Sequence, residues 1–474
     1  MKSKKAISLI VLVITIIIMI ILASAIIMSL DNANIFNKAE EAVEKTNAAT
    51  NKYLSEIKLA ERELEKIQGA SPVTDTTPND LRQEDDTYYI ESIDDLVTFS
   101  NRVNAGETFE GKTVKLTRLL DFNSDNSYVD KSLKGQLIGE NSSEGFTPIG
   151  KRVYNGSNWE EKPFKGTFDG DGAEIRNLYI NTTSDNVGLF GFAVDANFYN
   201  VGVTGNVTTT GESAGGLLGY IDNTQPTIIA NCYNKANISA EGIAGGVVAQ
   251  TWESITIEDC YNVGAITSQS GDGVGGVAGF FGYEEGMSVM NRCYNTGTIK
   301  GRGPGGVVGI ANTAIIKNVY NLGNILNVTT TDGICIGGIV AEVQGADIYN
   351  SYNAGNIEFK AAMYIGGIAG HTYSKMINCY NIGNIAREKG YQLVDGVAAT
   401  VEVEKLYYVQ EGTPPVKSND VYNPELSQSP ELIAKPLSYM KSQAFVDELN
   451  SNIQGRDDLV RWKMGPNGYP TLDI

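Results

Sequence analysis

The stretch Gly305-Gly306-Val307-Val308-Gly309 is one copy of a short motif that recurs through the middle of the chain. Two adjacent glycines precede small aliphatic residues in six copies, whose second glycines are Gly216, Gly246, Gly276, Gly306, Gly338 and Gly367. These positions are 30, 30, 30, 32 and 29 residues apart, and weaker copies follow Gly188 and Gly396. A fixed period of this length predicts an array in which each unit stacks on its neighbours.

A second motif has a similar period. A tyrosine-asparagine pair recurs once per unit, and its asparagines are Asn234, Asn262, Asn295, Asn321, Asn353 and Asn381. An isoleucine follows four residues after each of these asparagines. Each unit therefore holds short runs with β propensity and no helical period. We expect the asparagine side chains to bond to one another from unit to unit.

Together the motifs predict a mostly β fold, a right-handed parallel β-helix (β-solenoid) of about eight coils. Equivalent residues would stack at ~4.8 Å, the distance between neighbouring strands. The glycines would allow two coils to approach closely, or would supply a positive φ at a corner. A β-propeller is the alternative, but its blades need about 40 residues, which is more than the period found here.

The glycine motif resembles the GLUG repeat of bacterial surface and secreted proteins, named for its Gly-Leu-like-Gly core. Residues 215–219, 275–279, 305–309 and 366–370 carry that pattern, whereas Ala249 and Ala341 replace the last glycine in two other copies. The resemblance covers about half of the chain. It implies a β-solenoid fold and a location at the cell surface, and it implies no reaction.

The rest of the sequence divides into segments on either side of the repeat. The predicted segments are a basic leader (1–6), a transmembrane helix (7–30), a stalk helix (31–68), a linker (69–83), an N-terminal cap with the first coils (84–186), the repeat solenoid (187–410) and a C-terminal cap (411–474). Within the caps, Ser92 is expected to begin a short helix over 93–103, and residues 437–449 have a helical period.

The N-terminal segment predicts a single-pass protein of the bacterial cell membrane. Three lysines precede residues 7–30, which carry no charge and are long enough to cross a bilayer as a helix. Because the lysines lie before this run and Asp31 follows it, we expect a cytoplasmic N-terminus and an extracellular body. Cleavage as a secretory signal after Ala25 is the alternative.

Residues 6–13 resemble the start of type IV pilins and pseudopilins. The resemblance implies cleavage between Ala6 and Ile7, methylation of Ile7, and contact with other pilin-like subunits. Ala6 stands where the family usually has glycine. Val11 stands where it usually has the glutamate that pairs with a neighbour's N-terminal amine. A subunit at a filament tip, or one that stays in the membrane, is compatible with these departures.

Charge and cysteine content narrow the function further. The formal charge is −19, and the three lysines of the first 30 residues leave −22 on the rest, which argues against nucleic acid as a partner. Four of the five cysteines occupy one repeat position and are interpreted as small buried side chains. A disulfide between neighbouring coils, such as Cys232 to Cys260, is the alternative. The sequence contains no CxxC pair, so it does not predict a zinc site.

No residue of the sequence is a strong candidate for catalysis, cofactor binding or metal ligation. The one histidine, His371, is interpreted as a loop residue. Residues 121–125 alternate oxygen ligands like a calcium loop, but Ser132 stands at the twelfth position, so an ordinary polar turn is favoured.

Paired carboxylates would be the mark of a glycosidase or lyase built on a β-solenoid. Asp169, Asp171 and Glu174 are close together in the sequence, but turn formation explains them.

Three functions are compatible with these observations. The first is a non-enzymatic, membrane-anchored, pilin-like surface protein that displays an acidic β-solenoid for adhesion, or for binding a surface glycan or protein ligand, without a cofactor. The second is a minor pseudopilin at the tip of a type IV pilus or a type II secretion-like filament. The third is an extracellular polysaccharide-cleaving enzyme.

Overall fold

The structure is a computed structural model. It describes residues 80–122, 145–282, 286–329, 334–360, 364–372, 374–387, 398–399, 402–409 and 432–474. Every described residue belongs to one compact unit, 76–474, which is called the second unit because it follows residues 1–75. The predicted leader, transmembrane helix and stalk helix, with Ala6 and Ile7, lie outside the described residues and stay predictions. Among the described residues, no helix is both long and apolar enough to cross a membrane.

The second unit is mostly β, and its strands wind into a parallel β-solenoid of about nine turns. One turn consists of the strands Thr227–Ala230, Tyr233–Asn234, Asn237–Ala240, Ile243–Gly245 and Val248–Thr251. Each pairs in parallel with its equivalent in the next turn, so five ladders, called first to fifth in this order, run along the solenoid. The predicted parallel β-helix is confirmed.

Most of the strands each belong to a single one of the five ladders. The first ladder contains Thr87–Ile90, Thr113–Leu116, Thr167–Asp169, Asn197–Tyr199, Thr227–Ala230, Ile255–Glu258, Ser288–Asn291, Ala314–Lys317 and Asp347–Tyr349. The second contains Leu120–Asp121, Tyr233–Asn234, Tyr261–Asn262, Tyr294–Asn295, Tyr320–Asn321, Tyr352–Asn353 and Leu432–Lys435. The third contains Asn237–Ala240, Ile266–Ser268, Ile299–Gly301, Ile325–Asn327, Ile357–Phe359 and Ile385–Arg387.

The other two ladders form separate sheets. The fourth contains Asn186–Val187, Ser213–Gly215, Ile243–Gly245, Val274–Gly275, Pro304–Gly305, Cys335–Gly337 and Tyr364–Gly366. The fifth contains Phe190–Val194, Leu218–Asp222, Val248–Thr251, Ala278–Phe281, Val308–Asn312, Val340–Gln344, Ala369–Thr372 and Ala398–Ala399.

Longer strands join adjacent ladders. Glu174–Thr182 and Gly202–Thr209 run through the second and third, and Lys375–Asn381 and Glu402–Val409 run through the first and second. Three pairs of the described strands are antiparallel. They are Arg82–Glu84 with Thr87–Ile90, Lys151–Tyr154 with Trp159–Lys162, and Trp462–Met464 with Pro470–Leu472. The first strand thus begins inside the segment predicted as a linker.

A helix lies between the strands Thr87–Ile90 and Thr113–Leu116, as the sequence predicts. It runs Ile93–Ala105, and Ser92 begins it by accepting a hydrogen bond from the Asp95 backbone N–H at 3.1 Å. Gly106 ends it at a φ of 114°, two residues later than expected, because glycine tolerates this left-handed conformation. Its Phe99 packs against Phe164, so the helix joins the same hydrophobic core as the first turns.

The C-terminal segment, residues 432–474, contains two helices where the sequence predicts one. Leu437–Met440 and Gln443–Asn452 are separated at Lys441 and Ser442. The segment packs against the side of the second ladder, where Tyr352 and Tyr380 belong to its hydrophobic cluster. The strand Leu432–Lys435 of this segment pairs with Glu402–Val409 at the end of the second ladder, and residues 411–431 lie outside the described residues, so the cap predicted for 411–474 stays a prediction.

The corners between the first and second ladders hold left-handed residues that are not glycine. Asn231, Asp259, Arg292, Asn318 and Asn350 have φ between 50° and 57°. Asparagine and aspartate tolerate this region best among residues with a side chain. In the described turns the repeated glycines have no positive φ, so of their two predicted roles only close approach is observed.

The repeat cysteines point into the core. Cys232, Cys260, Cys293 and Cys379 are buried, and all five cysteines of the chain are free thiols. The Cys232 backbone N–H donates to the sulfur of Cys260 in the next turn at 3.4 Å. They are therefore small buried side chains, and no disulfide links the coils.

Candidate ligand-binding surface: the tyrosine stack

Six tyrosines form a continuous stack on the outside of the second ladder. Adjacent ring centroids are 4.8–5.1 Å apart, and the rings are within 12° of parallel; the members are Tyr233, Tyr261, Tyr294, Tyr320, Tyr352 and Tyr380. Because successive side chains of a strand point to opposite faces, the tyrosine of each pair lies outside and the following asparagine lies inside.

The buried asparagines form the predicted ladder directly behind this stack. Asn234 Nδ2 donates to Asn262 Oδ1 at 2.8 Å, and the same bond at the same length continues through Asn295, Asn321, Asn353 and Asn381. Each Nδ2 also donates to the backbone oxygen two residues further on. A fully bonded polar row of this kind fixes the strand register, and with it the tyrosine positions.

The repeated glycines make room for these asparagines. A Cβ added to Gly216, Gly246, Gly276, Gly306 or Gly338 would overlap both the backbone oxygen of the equivalent glycine in the next turn and the asparagine side chain. The two sequence motifs are therefore in contact inside the solenoid. The backbone oxygen of Gly367 is the one that faces Gly338.

The C-terminal segment covers one half of the stack. The rings of Tyr352 and Tyr380 lie 5.8 and 5.4 Å from Trp462, tilted by 55° and 48°. Tyr352 shares a hydrogen bond of 2.9 Å with the Thr471 hydroxyl, and Tyr380 donates to the Pro470 carbonyl. Both tyrosines are buried, and this part is called the covered half.

Corner asparagines hold the backbone of the same segment. Asn318 Oδ1 accepts from the Val460 N–H at 2.9 Å, and Asn318 Nδ2 donates to the Asp458 carbonyl at 3.2 Å. Asn350 Nδ2 donates to the Val460 carbonyl at 2.7 Å, while its Oδ1 accepts from Trp462 Nε1 at 2.6 Å. Side-chain amides one turn apart thus bind residues 458–462 through three main-chain groups and the Trp462 indole N–H.

Of the remaining four tyrosines, Tyr320 stacks on Tyr352 at the edge of the covered half, and Tyr233, Tyr261 and Tyr294 form what we call the open half. Their rings are half-buried, and the hydroxyls of Tyr261 and Tyr294 have no hydrogen-bond partner within the described ranges. Val263 and Leu322, which follow the tyrosine-asparagine pairs of two turns, are 45% and 42% exposed. Tyrosine edges and aliphatic side chains therefore reach solvent side by side.

Ion pairs flank the open half. Arg292 forms two 2.6 Å hydrogen bonds with the Asp259 carboxylate and a third of 3.1 Å with Glu258. The hydrogen bonds to Asp259 raise the pKa of Arg292 above its usual range, although burial opposes the shift. One guanidinium pairs here with two carboxylates, so this cluster keeps one negative charge beside the open half.

Glu174 lies at the first end of the stack. It pairs with Arg176 at 2.8 Å and with Lys235 at 3.2 Å. Burial alone would raise the pKa of Glu174, but hydrogen bonds from Arg176 and Lys235 outweigh burial and lower it. Its carboxylate is therefore ionised and satisfied by protein groups.

The other acids singled out in the sequence are bonded as turn residues. Asp169 Oδ1 accepts from the Asp171 backbone N–H at 2.9 Å and from Asn200 Nδ2 at 3.0 Å. Asp121 Oδ1 accepts from Asn177 Nδ2 at 2.7 Å, while residues 123–132 of the calcium-like stretch lie outside the described residues. Within the described part of the chain, no group of three His, Cys, Asp or Glu side chains is arranged to hold a metal ion.

The interpretation of His371 as a loop residue is wrong. It lies in the fifth-ladder strand Ala369–Thr372, in register with Glu342, and its ring is 4.6 Å from that of Tyr364. Burial lowers the pKa of His371, against the opposing effect of Glu342.

Sequence reasoning missed the corner asparagines as binding groups. Asn318, Asn350 and Asn378 each stand three residues before a ladder asparagine, so the repeat itself contains the signal. The sequence carries no sign that residues 458–462 lie against them.

No protein-family model and no curated protein sequence matches the chain. Among solved structures, the chain is similar to a proposed immunoglobulin A1 protease from Bacteroides ovatus, with 18% sequence identity and a TM-score of 0.43. That alignment covers 82% of this chain and 93% of the other. At this TM-score no activity is transferred from it.

Proposed function

We propose that the protein is a membrane-anchored, pilin-like surface protein that displays its solenoid for adhesion or ligand binding, without enzymatic activity. The observation that carries this proposal is the tyrosine stack. One half is covered by a polypeptide segment of the same chain, and in the other half the Tyr261 and Tyr294 hydroxyls have no partner among the described residues and lie near exposed aliphatic side chains. Surfaces of aromatic and aliphatic groups that are held rigidly are typical of binding sites.

Rigidity of the stack supports the proposal. A ligand that binds to a preformed surface loses less free energy to ordering of the protein. Here the tyrosine positions follow from the buried amide ladder, whose members from Asn234 to Asn353 are fully buried. The acidic composition suits a solvated body outside the cell.

The membrane anchor in this proposal rests on the sequence of residues 7–30 and on the pilin-like residues around Ile7. The GLUG-like repeat is the further support for a bacterial cell-surface location. Cleavage after Ala6 would leave a mature protein that starts at Ile7, and contact with other pilin-like subunits is part of the same proposal.

The experiment is done on wall-stripped cells that make the full chain. External protease is expected to digest residues 84–474. Mass spectrometry is expected to show that the protected fragment begins at Ile7. The same cells, compared with cells that lack the chain, are then tested for binding to arrays of glycans and surface proteins. A protected body, or equal binding by both kinds of cell, would sink the proposal.

A tip pseudopilin is the second candidate, and the pilin-like start at Ala6 and Ile7 is the observation that favours it. Labelling with an antibody against the solenoid distinguishes the two candidates. Label at the ends of filaments indicates the pseudopilin, whereas label spread over the cell surface indicates the displayed adhesin.

A further inference from the structure

We propose that the open half of the tyrosine stack binds a polypeptide segment that presents an aromatic side chain, with contacts like those that residues 458–472 make with the covered half. The inference rests on the proposed function and names the class of partner. It follows from which parts of the rings are free, from the contacts of the covered half, and from the continuity between the halves.

The faces of the stacked rings are not free. Each ring covers its neighbour at about the strand spacing, with interplanar angles of 8° for Tyr233 and Tyr261 and 2° for Tyr261 and Tyr294. At the first end of the stack, the Lys235 ammonium lies 4.6 Å from the centre of the Tyr233 ring, and the Gly202 backbone lies against the same ring. A sugar that stacks on an aromatic face therefore finds no open face here.

What the open half presents are ring edges and hydroxyls. Ring edges carry partial positive charge and attract the negative face of another aromatic ring, which gives tilted or T-shaped pairs. The covered half uses this geometry: Phe445 meets Tyr380 at 68° with centroids 5.6 Å apart, and Trp462 is tilted against Tyr352 and Tyr380. The indole and the phenyl ring are supplied by a polypeptide.

The hydroxyls point to the same class of partner. In the covered half they bond to the strand Pro470–Leu472, through the Pro470 carbonyl and the Thr471 hydroxyl. In the open half, the hydroxyls of Tyr261 and Tyr294 lack such a partner among the residues described. A polypeptide supplies both backbone carbonyls and side-chain hydroxyls that can accept from such donors.

The two halves are one continuous surface. Tyr320 stacks on both Tyr294 and Tyr352, and it is already partly packed against the C-terminal cluster. Beyond it, Val263 and Leu322 continue the apolar edge that Ala354 and Ile382 form beneath the C-terminal segment. A second polypeptide segment on the open half would therefore extend an interface that the chain already makes with itself.

The test uses the full-length protein in detergent micelles and a phage-displayed library of random 12-residue peptides. Peptides are selected on the wild type and counter-selected on the double variant Tyr261→Phe/Tyr294→Phe, which keeps both rings and removes both hydroxyls. We expect selected peptides to contain an aromatic residue and to bind the double variant about tenfold more weakly, because two hydrogen bonds are lost. The matched control is Tyr179→Phe, an exposed tyrosine outside the stack, which should bind as the wild type does.

The binding position is read by photo-crosslinking. A benzophenone amino acid replaces the aromatic residue of the best peptide, and crosslinks are expected near Tyr261 and Tyr294. Crosslinks confined to Tyr352 and Tyr380 would mean displacement of the C-terminal segment and would overturn the inference, as would selected peptides without aromatic enrichment. Circular dichroism of the double variant verifies that its fold is intact.

Oligosaccharides form the last arm of the test. Hexasaccharides of glucose and of N-acetylglucosamine are titrated into the same proteins, and no dependence on the two hydroxyls is expected. A hexasaccharide that binds the wild type and not the double variant would replace the polypeptide by a glycan, and would leave the proposed adhesive function standing. Failure of the peptide arm while cells that display the chain still bind surfaces overturns the inference alone.

Discussion

Gly306 and Asn321 touch inside the solenoid: a Cβ on Gly306 would lie 2.6 Å from Cγ of Asn321 and would also overlap the Gly338 carbonyl oxygen. The missing side chain is therefore what makes room for the buried amide. Because the glycine and the asparagine recur together, each turn repeats this contact. The repeat conserves a packing unit of two residues rather than two independent motifs.

Substitution Gly306→Val is expected to destabilise the solenoid by about 3 kcal/mol or more, because overpacking adds to the loss of amide hydrogen bonds. The backbone cannot yield without shifting the next turn, which approaches through the Gly338 oxygen. Urea unfolding followed by circular dichroism measures the loss. Hydrogen exchange should show it first in the turns adjacent to Gly306, since coils contact only their neighbours.

The matched control for this substitution is Thr296→Val. Thr296 is exposed in the same turn as Gly306, and its replacement should change the free energy of unfolding by less than about 0.5 kcal/mol. Equal exchange protection in both variants would contradict the packing role of the glycine.

Removal of one ladder amide tests the asparagines separately. Asn321 bonds to Asn295 and Asn353 at 2.8 Å and to both backbone groups of Gly323. The substitution Asn321→Ala leaves several of these buried groups unsatisfied, so we expect a loss of about 3–5 kcal/mol. Chemical denaturation of the purified variant measures it.

An exposed amide pair provides the comparison. Asn237 Nδ2 donates to Asn206 at 3.2 Å on the solvent side of the third ladder, where water replaces a lost partner. Asn237→Ala should therefore cost less than about 1 kcal/mol. If both substitutions cost the same, burial of the ladder is not what stabilises it.

The sequence predicts the solenoid because its chemistry is local and repeated. The glycines from Gly216 to Gly367 recur with a nearly constant spacing, and so do the asparagines that follow the tyrosines. Each of the two residue types makes the same contact in every turn. Side-chain alternation then places Asn321 inside and Tyr320 outside. The number of turns is underestimated, since the strand Thr113–Leu116 joins the ladder without carrying the motif.

The sequence does not predict the covered half of the stack, because its contacts join residues that lie far apart in the chain. Val460 donates a hydrogen bond to Asn318, and Trp462 donates one to Asn350. No periodic pattern in the sequence predicts these hydrogen bonds. The sequence also does not show which residues form the left-handed corners. Glycine permits a positive φ, yet asparagine, aspartate and even Arg292 occupy those corners, and the glycines serve close packing.

The thiols offer a chemical check of the core. Cys232, Cys260, Cys293 and Cys379 are buried, and burial raises the pKa of the less buried Cys335 to about 12. The thiolate is the reactive form, so the native protein should react very slowly with Ellman's reagent. In guanidinium chloride without reductant, all five thiols should react.

Two results would oppose this prediction. Fewer than five thiols after denaturation would indicate a disulfide, which the intact mass would show as a loss of about two daltons. If the native Cys335→Ser variant still reacts rapidly with Ellman's reagent, the repeat cysteines are accessible to solvent.

Alkaline pH should loosen the tyrosine stack. Burial, with smaller contributions from Tyr294 and Glu174, raises the pKa of Tyr261 to about 12, and burial raises that of Tyr352 to about 12 as well. An unfolded tyrosine ionises at about 10. The folded state therefore holds these protons more tightly than the unfolded state does. Its stability should be constant with respect to these groups below pH ~10 and should fall as pH rises from ~10 through ~12.

Absorbance at 295 nm follows the ionisation, and urea unfolding at pH 9, 10 and 11 follows the stability. Tyr261→Phe removes one of the groups whose pKa is raised and keeps its ring in the stack, so its unfolding free energy should fall less steeply between pH 10 and 11 than that of the wild type. Ionisation of every tyrosine near pH 10, together with identical slopes for the two proteins, would mean that the rings are not held in the half-buried stack. In that case the binding surface proposed for Tyr233, Tyr261 and Tyr294 would lose the rigidity on which it depends.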